Sequence, residues 1–178
     1  AAADRLVAVE VEREALAGAP SRLLASAPGG GALRPLGPEA YHLAVACSPR
    51  EPRIAFVRVD PEDGSPRLFV QAIDPPEEPQ EVAVGATPVF TPDGEWIVYV
   101  GRTTRGQRLY RVRFDGAGRT PLGFGASEES HPAVSPDGRY VAYVVSDTSR
   151  RERLWVRRID GTGDRPLLRS GDGSVPVW

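Results

Sequence analysis

The chain has 178 residues, a formal charge of −2, and no methionine or lysine, so all of its basic residues are arginine. That length allows one domain with a substantial core, and the near-neutral balance removes the field that would draw nucleic acid or an anionic membrane. Cys47 is the single cysteine, which excludes an intramolecular disulfide, and no apolar run is long enough to span a membrane.

In chain order, the first apolar strand falls at 6–9, and a second follows at Arg22-Leu23-Leu24. From residue 43 the pattern becomes regular. A small apolar strand ends in Ser48-Pro49, a continuously apolar strand covers 54–57, and a third carries Arg67-Leu68-Phe69. The same words return as Pro88-Val89-Phe90-Thr91-Pro92, 97–100 and Arg108-Leu109-Tyr110, and again as Pro132-Ala133-Val134-Ser135-Pro136, 141–145 and Arg153-Leu154-Trp155. The period is about 44 residues, which with short strands and Gly/Pro turns is the signature of a propeller blade. Such a unit is too small to bury its own strands, so four of them must stack.

Within each unit four strands are expected. The second is apolar on both faces, as in a sheet sandwiched between two others. The third alternates, with Tyr110, Val112 and Phe114 on one face and Arg111 and Arg113 on the other. The fourth is brief and polar, suited to an outer edge. Pro92-Asp93-Gly94 and Pro136-Asp137-Gly138 read as turns between first and second strands, and Asp115-Gly116 and Asp160-Gly161 as turns between third and fourth. The second unit departs from this, with Arg50-Glu51 in place of Asp-Gly and a long acidic turn over 74–81.

The two ends are complementary. The chain enters at a second strand (5–10) and stops at Val175-Pro176-Val177-Trp178, a lone first strand. Two completions fit: a closed four-bladed ring in which the terminal strands share a blade, with repeats 1–41 plus 175–178, 42–86, 87–130 and 131–174, or a fragment of a six- to eight-bladed propeller. The first predicts a monomer, and the second predicts self-association or membership of a longer chain. No signal peptide is legible, and the chain opens without an initiator Met.

These repeats resemble the TolB-like propeller family, whose pattern is roughly Pro-x-Trp-Ser-Pro-Asp-Gly, an apolar strand, and a Leu-Tyr-Val-like strand ending in Asp-Gly. The match is close at 87–116 and 131–161, weaker at 43–74, and confined to the later strands at 3–36. The resemblance implies an all-β propeller, a bacterial and periplasmic or extracytoplasmic setting, and a protein partner.

Candidate chemistry is sparse. Ala44, Thr87, His131 and Val175 align at the first strand and would ring the mouth of a central channel, with His131 a candidate ligand contact. One His among Ala, Thr and Val cannot assemble a metal shell, so no metal or cofactor is implied, and His42 is expected in a connecting loop. No Gly-x-Ser-x-Gly elbow occurs, and Ser135 reads as a turn residue. Asp60-Pro61-Glu62-Asp63-Gly64 misses the spacing of a calcium loop and reads as a hairpin. Together with Arg50 and Glu51, Asp60, Glu62 and Asp63 form a candidate partner-facing edge. Cys47 is expected to be a buried structural thiol, and the strand arginines solvated faces with packed stems rather than a nucleic-acid platform. The expected function is a non-catalytic scaffold for protein interaction or ligand sensing. The alternatives are a module gating a prolyl-oligopeptidase-type peptidase domain and an extracytoplasmic sensor domain of a signalling protein.

Overall fold

The computed structural model describes residues 7–11, 20–27, 29–104, 106–123 and 128–167. Their strands form four antiparallel sheets, each a meander in chain order. The first contains β1 (Val7–Val11), β2 (Ser21–Ala25) and β3 (Arg34–Pro35). The second contains β4 (His42–Cys47), β5 (Arg53–Val59), β6 (Pro66–Ala72) and β7 (Gln80–Val84). The third contains β8 (Ala86–Phe90), β9 (Trp96–Thr103), β10 (Gly106–Arg113) and β11 (Thr120–Pro121). The fourth contains β12 (Glu128–Val134), β13 (Tyr140–Ser146), β14 (Glu152–Arg158) and β15 (Arg165–Pro166). No helix occurs among the described residues.

Strand periodicity explains how one apolar run serves two neighbours. On β5, Ile54 and Phe56 join Leu23, Ala25 and Leu36 of the first sheet, while Ala55 and Val57 join Ile97, Tyr99 and Val112 of the third. On β9 the alternation repeats. Val98 and Val100 turn the other way, against Val141 and Tyr143 of the fourth sheet. All four residues at 54–57 are at most 1% exposed, as the doubly buried reading requires. Each such side chain contributes roughly 1.5–3 kcal/mol through the water it sheds, and neither seam survives without the adjacent sheet. β8 packs against both β4 and β12, so the first strands of the second, third and fourth sheets lie side by side on the inner side.

The turns behave as read. Thr91 Oγ1 donates to Asp93 Oδ1 at 2.5 Å and accepts Trp96 N–H at 3.0 Å, while Asp93 Oδ1 also accepts Glu95 N–H at 2.9 Å. Ser135, Asp137, Tyr140 and Arg139 repeat the arrangement at 2.6, 2.9 and 3.0 Å. Gly94 takes a φ of 74°, and a side chain there would lie 3.0 Å from Ser48 Oγ, so the turn of the second sheet packs on that of the third. Arg50 Nε secures the junction with a 3.0 Å bond to the Pro92 carbonyl oxygen.

Several expectations need correction. His42 is not in a loop; it opens β4, because its backbone pairs with Arg58. The fourth strand is two residues long in three sheets but five in β7, so the second unit's departure extends to its outer edge. β12 begins at Glu128, three residues before His131. Of the proposed pairing of the chain ends, the strand at 5–10 falls largely in β1, which pairs with β2, and 175–178 lie outside the described residues.

Candidate functional site

The innermost strands carry a built irregularity. Registers shift between Ala86 and Val89 in the third sheet and between Ser130 and Ala133 in the fourth. Within these bulges Thr87 and His131 adopt left-handed backbone, with φ of 49° and 50°. A β-branched residue and a residue preceding proline are both poorly suited to that region, so each position stores strain of order 1–3 kcal/mol. The buried Pro88 and Pro132 anchor the bulge from behind, and Thr87 and His131 face solvent. His131 Nδ1 lies 3.0 Å from Ser130 Oγ. In the second sheet no proline follows, and the shift instead falls between His42 and Ala44. Ala44 therefore pairs regularly with Val57, and the bulge presents Leu43, which is 61% exposed. Val175, the fourth aligned position, lies outside the described residues.

Further along the same strands is a cavity of about 340 Å³ lined by Ala46, Cys47, Pro88, Phe90, Pro92 and Pro136, among others. It spans three sheets where the inner strands enter their Pro turns. Cys47 is exposed in this lining rather than buried, because the last residue of β4 meets this cavity instead of another sheet. Its partly desolvated surroundings push the thiol pKa up, which disfavours the nucleophilic thiolate.

In the blade-two loops the carboxylates of Glu51, Asp60 and Asp63 are engaged locally. Asp60 Oδ1 accepts Glu62 N–H and Asp63 Oδ1 accepts Ser65 N–H, at 2.8 and 2.7 Å, which makes 60–65 a hairpin. Arg67 gathers Asp60, Asp63 and Glu81 at 2.7, 3.5 and 3.3 Å. Glu51 pairs with Arg53 at 2.8 Å. No group of three or more metal-ligating side chains occurs among the described residues.

Sequence reasoning missed the seams' polar positions. His42, Gly85 and Glu129 occupy one repeat position, and each faces the aromatic ring of its own sheet's second strand. His42 meets Phe56 edge-on with centroids 5.7 Å apart. Gly85 is required because a Cβ would stand 2.5 Å from the Tyr99 ring. Glu129 stands beside Tyr143 and joins a buried network. Arg157 Nη2 donates to Glu129 Oε1 and to the Tyr143 hydroxyl, both at 2.5 Å, and Tyr143 donates to Asp164 at 2.7 Å. Arg157 is 1% exposed, so the solvated reading of the strand arginines fails there. Arg108 is likewise buried. The alternating pattern marked the arginine face as polar, but nothing local showed that a neighbouring strand brings Glu129 to it. Burial alone would lower the Arg157 pKa, but Tyr143 and Glu129 outweigh that and hold the guanidinium charged. Burial raises the Tyr143 pKa.

His42 ties the first two sheets together. Its Nδ1 lies 3.1 Å from both the hydroxyl and the carbonyl oxygen of Ser21. Ser21 Oγ donates to the Ala40 carbonyl. The proton on the ring therefore belongs on Nδ1, since a carbonyl oxygen only accepts. Burial, and then the neighbouring Arg58, lower the His42 pKa, opposed by the hydrogen bonds to Ser21 and Ala40.

Four meandering sheets stacked through their broad faces, with first strands innermost, define a β-propeller. No protein-family profile matches the chain. A TolB homolog from Chlorobaculum tepidum is 32% identical over 98 residues, 55% of this chain and 22% of that protein. The structure of TolB from Acinetobacter baumannii superposes with a TM-score of 0.73 at 17% identity, covering 93% of this chain and 41% of that one. A prolyl endopeptidase structure gives a TM-score of 0.67 at 15% identity, covering 97% and 28%. In each case the chain spans well under two thirds of the relative's own length. The fold is that of a β-propeller, and the chain is similar in sequence and structure to the propellers of TolB proteins.

Proposed function

We propose that this propeller is a non-catalytic scaffold that engages a protein partner at the inner-strand mouth. The observation that carries this reading is the left-handed bulge at Thr87 and His131. The same strained geometry appears in two successive blades, with a buried proline behind and an exposed side chain in front. Strain held at equivalent exposed positions marks a presented surface. The non-catalytic part is supported by Ser135 and Thr91, whose hydroxyls are taken up by their own turns, and by the raised thiol pKa at Cys47.

A photo-crosslinking residue at position 87 or 131 tests the reading, with position 160, in a turn at the opposite end of the blade, as control. One discrete partner captured from 87 and 131 and not from 160 is the expected result. Equal labelling from all three, or none from any, sinks it.

A second reading has the propeller accompany a peptidase domain, favoured by the likeness to a prolyl endopeptidase of which the chain spans 28%. A Gly-x-Ser-x-Gly elbow encoded next to this sequence would support it. Neighbouring coding sequence with no hydrolase signature would remove it.

A further inference from the structure

We infer that Arg58, at the seam of the first two blades, is a binding site for a carboxylate supplied from outside the described residues, and that an acidic side chain of a protein partner fills it. The argument rests on comparing three blades. In each, an arginine lies over the aromatic ring of the second or third strand. Arg119 stacks 4.6 Å from the Tyr110 centroid and donates through Nε to the Tyr99 hydroxyl at 2.8 Å. Arg157 stacks 4.3 Å from Tyr143 and donates to its hydroxyl and to Glu129. In the second blade the ring at that position is Phe56, which has no hydroxyl, and the arginine comes from a different place in the repeat. Arg58 occupies the position of Gly101 and Val145, paired across the strand with His42.

Its guanidinium lies 5.0 Å from the Phe69 centroid and 5.5 Å from that of Phe56, over two rings that stack at 5.6 Å. Nε is buried and has no hydrogen-bond acceptor among the described residues. Among the described residues no carboxylate lies within ion-pair distance of Arg58. Asp60, Asp63 and Glu81 are held by Arg67, which lies directly across the strand pair from Arg58. Burial lowers the Arg58 pKa, as for a cation without a counter-charge. A half-buried guanidinium gains most from a bidentate carboxylate. Two flanking rings exclude water from one side of the pair. His42, paired with Arg58 across the strands, opens β4 between exposed Tyr41 and Leu43.

The source of the carboxylate rests on the scaffold reading; the site itself does not. The probe is N-acetylglutamate, titrated into the isotopically labelled full chain at about 0.15 M salt, where the Debye length of ~8 Å screens the acids around Arg67. The expected result is a saturable shift of the Arg58 Nε–H and His42 ring signals, with a dissociation constant on the order of millimolar. N-acetylglutamine should shift neither, and Arg58→Gln should abolish the response. A second readout needs no variant: saturation should raise the His42 pKa, because a bound anion favours the charged imidazole. Linear shifts, equal shifts with N-acetylglutamine or inorganic phosphate, or an unmoved His42 titration overturn the carboxylate site. Saturable binding of N-acetylglutamate with no partner captured from 87 or 131 would retain the site and remove the scaffold reading. Capture without binding would do the reverse.

Discussion

Arg157 and Glu129 lie 28 residues apart in sequence and meet through a 2.5 Å hydrogen bond inside the seam of the third and fourth blades. Glu129 Oε2 also accepts the backbone N–H of Leu109, at 2.9 Å, so one carboxylate joins two sheets. Breaking such a pair leaves a buried charge without compensation, which costs more than the pair contributes. Glu129→Ala should lower stability by about 3–5 kcal/mol, whereas Glu129→Leu combined with Arg157→Met should recover most of that loss. Urea unfolding of the three chains checks it. A single Glu129→Ala that costs no more than a surface substitution would refute the network.

Gly123 supports the same network sterically. A Cβ there would collide with Arg157 Nη1 and stand 2.6 Å from Glu129 Oε1. Gly123→Ala should therefore destabilise by about 1–3 kcal/mol, although alanine is ordinarily harmless in extended chain. The effect should shrink in the background where Arg157 is already Met, since the closest of the clashing groups is then gone. Persistence of the full cost there would mean the glycine matters for another reason.

The left-handed bulges give an ordering. Glycine adopts positive φ without penalty, and β-branched residues do so least readily. His131→Gly should match or exceed the wild-type melting temperature, and His131→Val should fall below it by the equivalent of roughly 1–2 kcal/mol. Thermal melts of the two variants decide this; the reverse order would mean that the bulge is not strained.

His42 makes the first seam sensitive to acid. Its folded-state pKa lies below the ordinary histidine value of about 6.5, so the unfolded chain binds the proton more readily. Stability from this group is complete above about pH 6.5 and declines as pH falls through the lower folded value. Unfolding midpoints should thus decrease from pH 7 toward 5, and His42→Gln should flatten that slope. The lowered carboxyls of Asp137 and Asp160, held by hydrogen bonds from Ser135 and Thr162, act in a separate and more acidic window, below about pH 4. Identical slopes in the two chains would show that burial at the seam does not bias His42.

The turn at Ser135 offers a local test. Its hydroxyl accepts Tyr140 N–H and donates to Asp137. Ser135→Ala should cost about 1 kcal/mol, and Ser135→Thr should cost little, since Thr91 fills the same role in the third blade. Circular dichroism melts separate the two.

What the sequence settled by itself was whatever repeats. The continuous apolar strands, the Ser/Thr-Pro-Asp-Gly turns and the short outer strands are local patterns, each enforced by backbone geometry and burial within one unit, so period and residue type were enough to read them. Thr91 and Ser135 were legible as turn residues for that reason. Tertiary structure decided whatever differs between repeats at equivalent positions. His42, Gly85 and Glu129 look unrelated along the chain, and become comparable only when each is seen facing Phe56, Tyr99 or Tyr143. The burial of Arg157, the exposure of Cys47 and the lack of a counter-charge at Arg58 among the described residues all depend on which side chains the adjacent strand or blade brings up. That is a matter of long-range packing, and no local pattern in the chain encodes it.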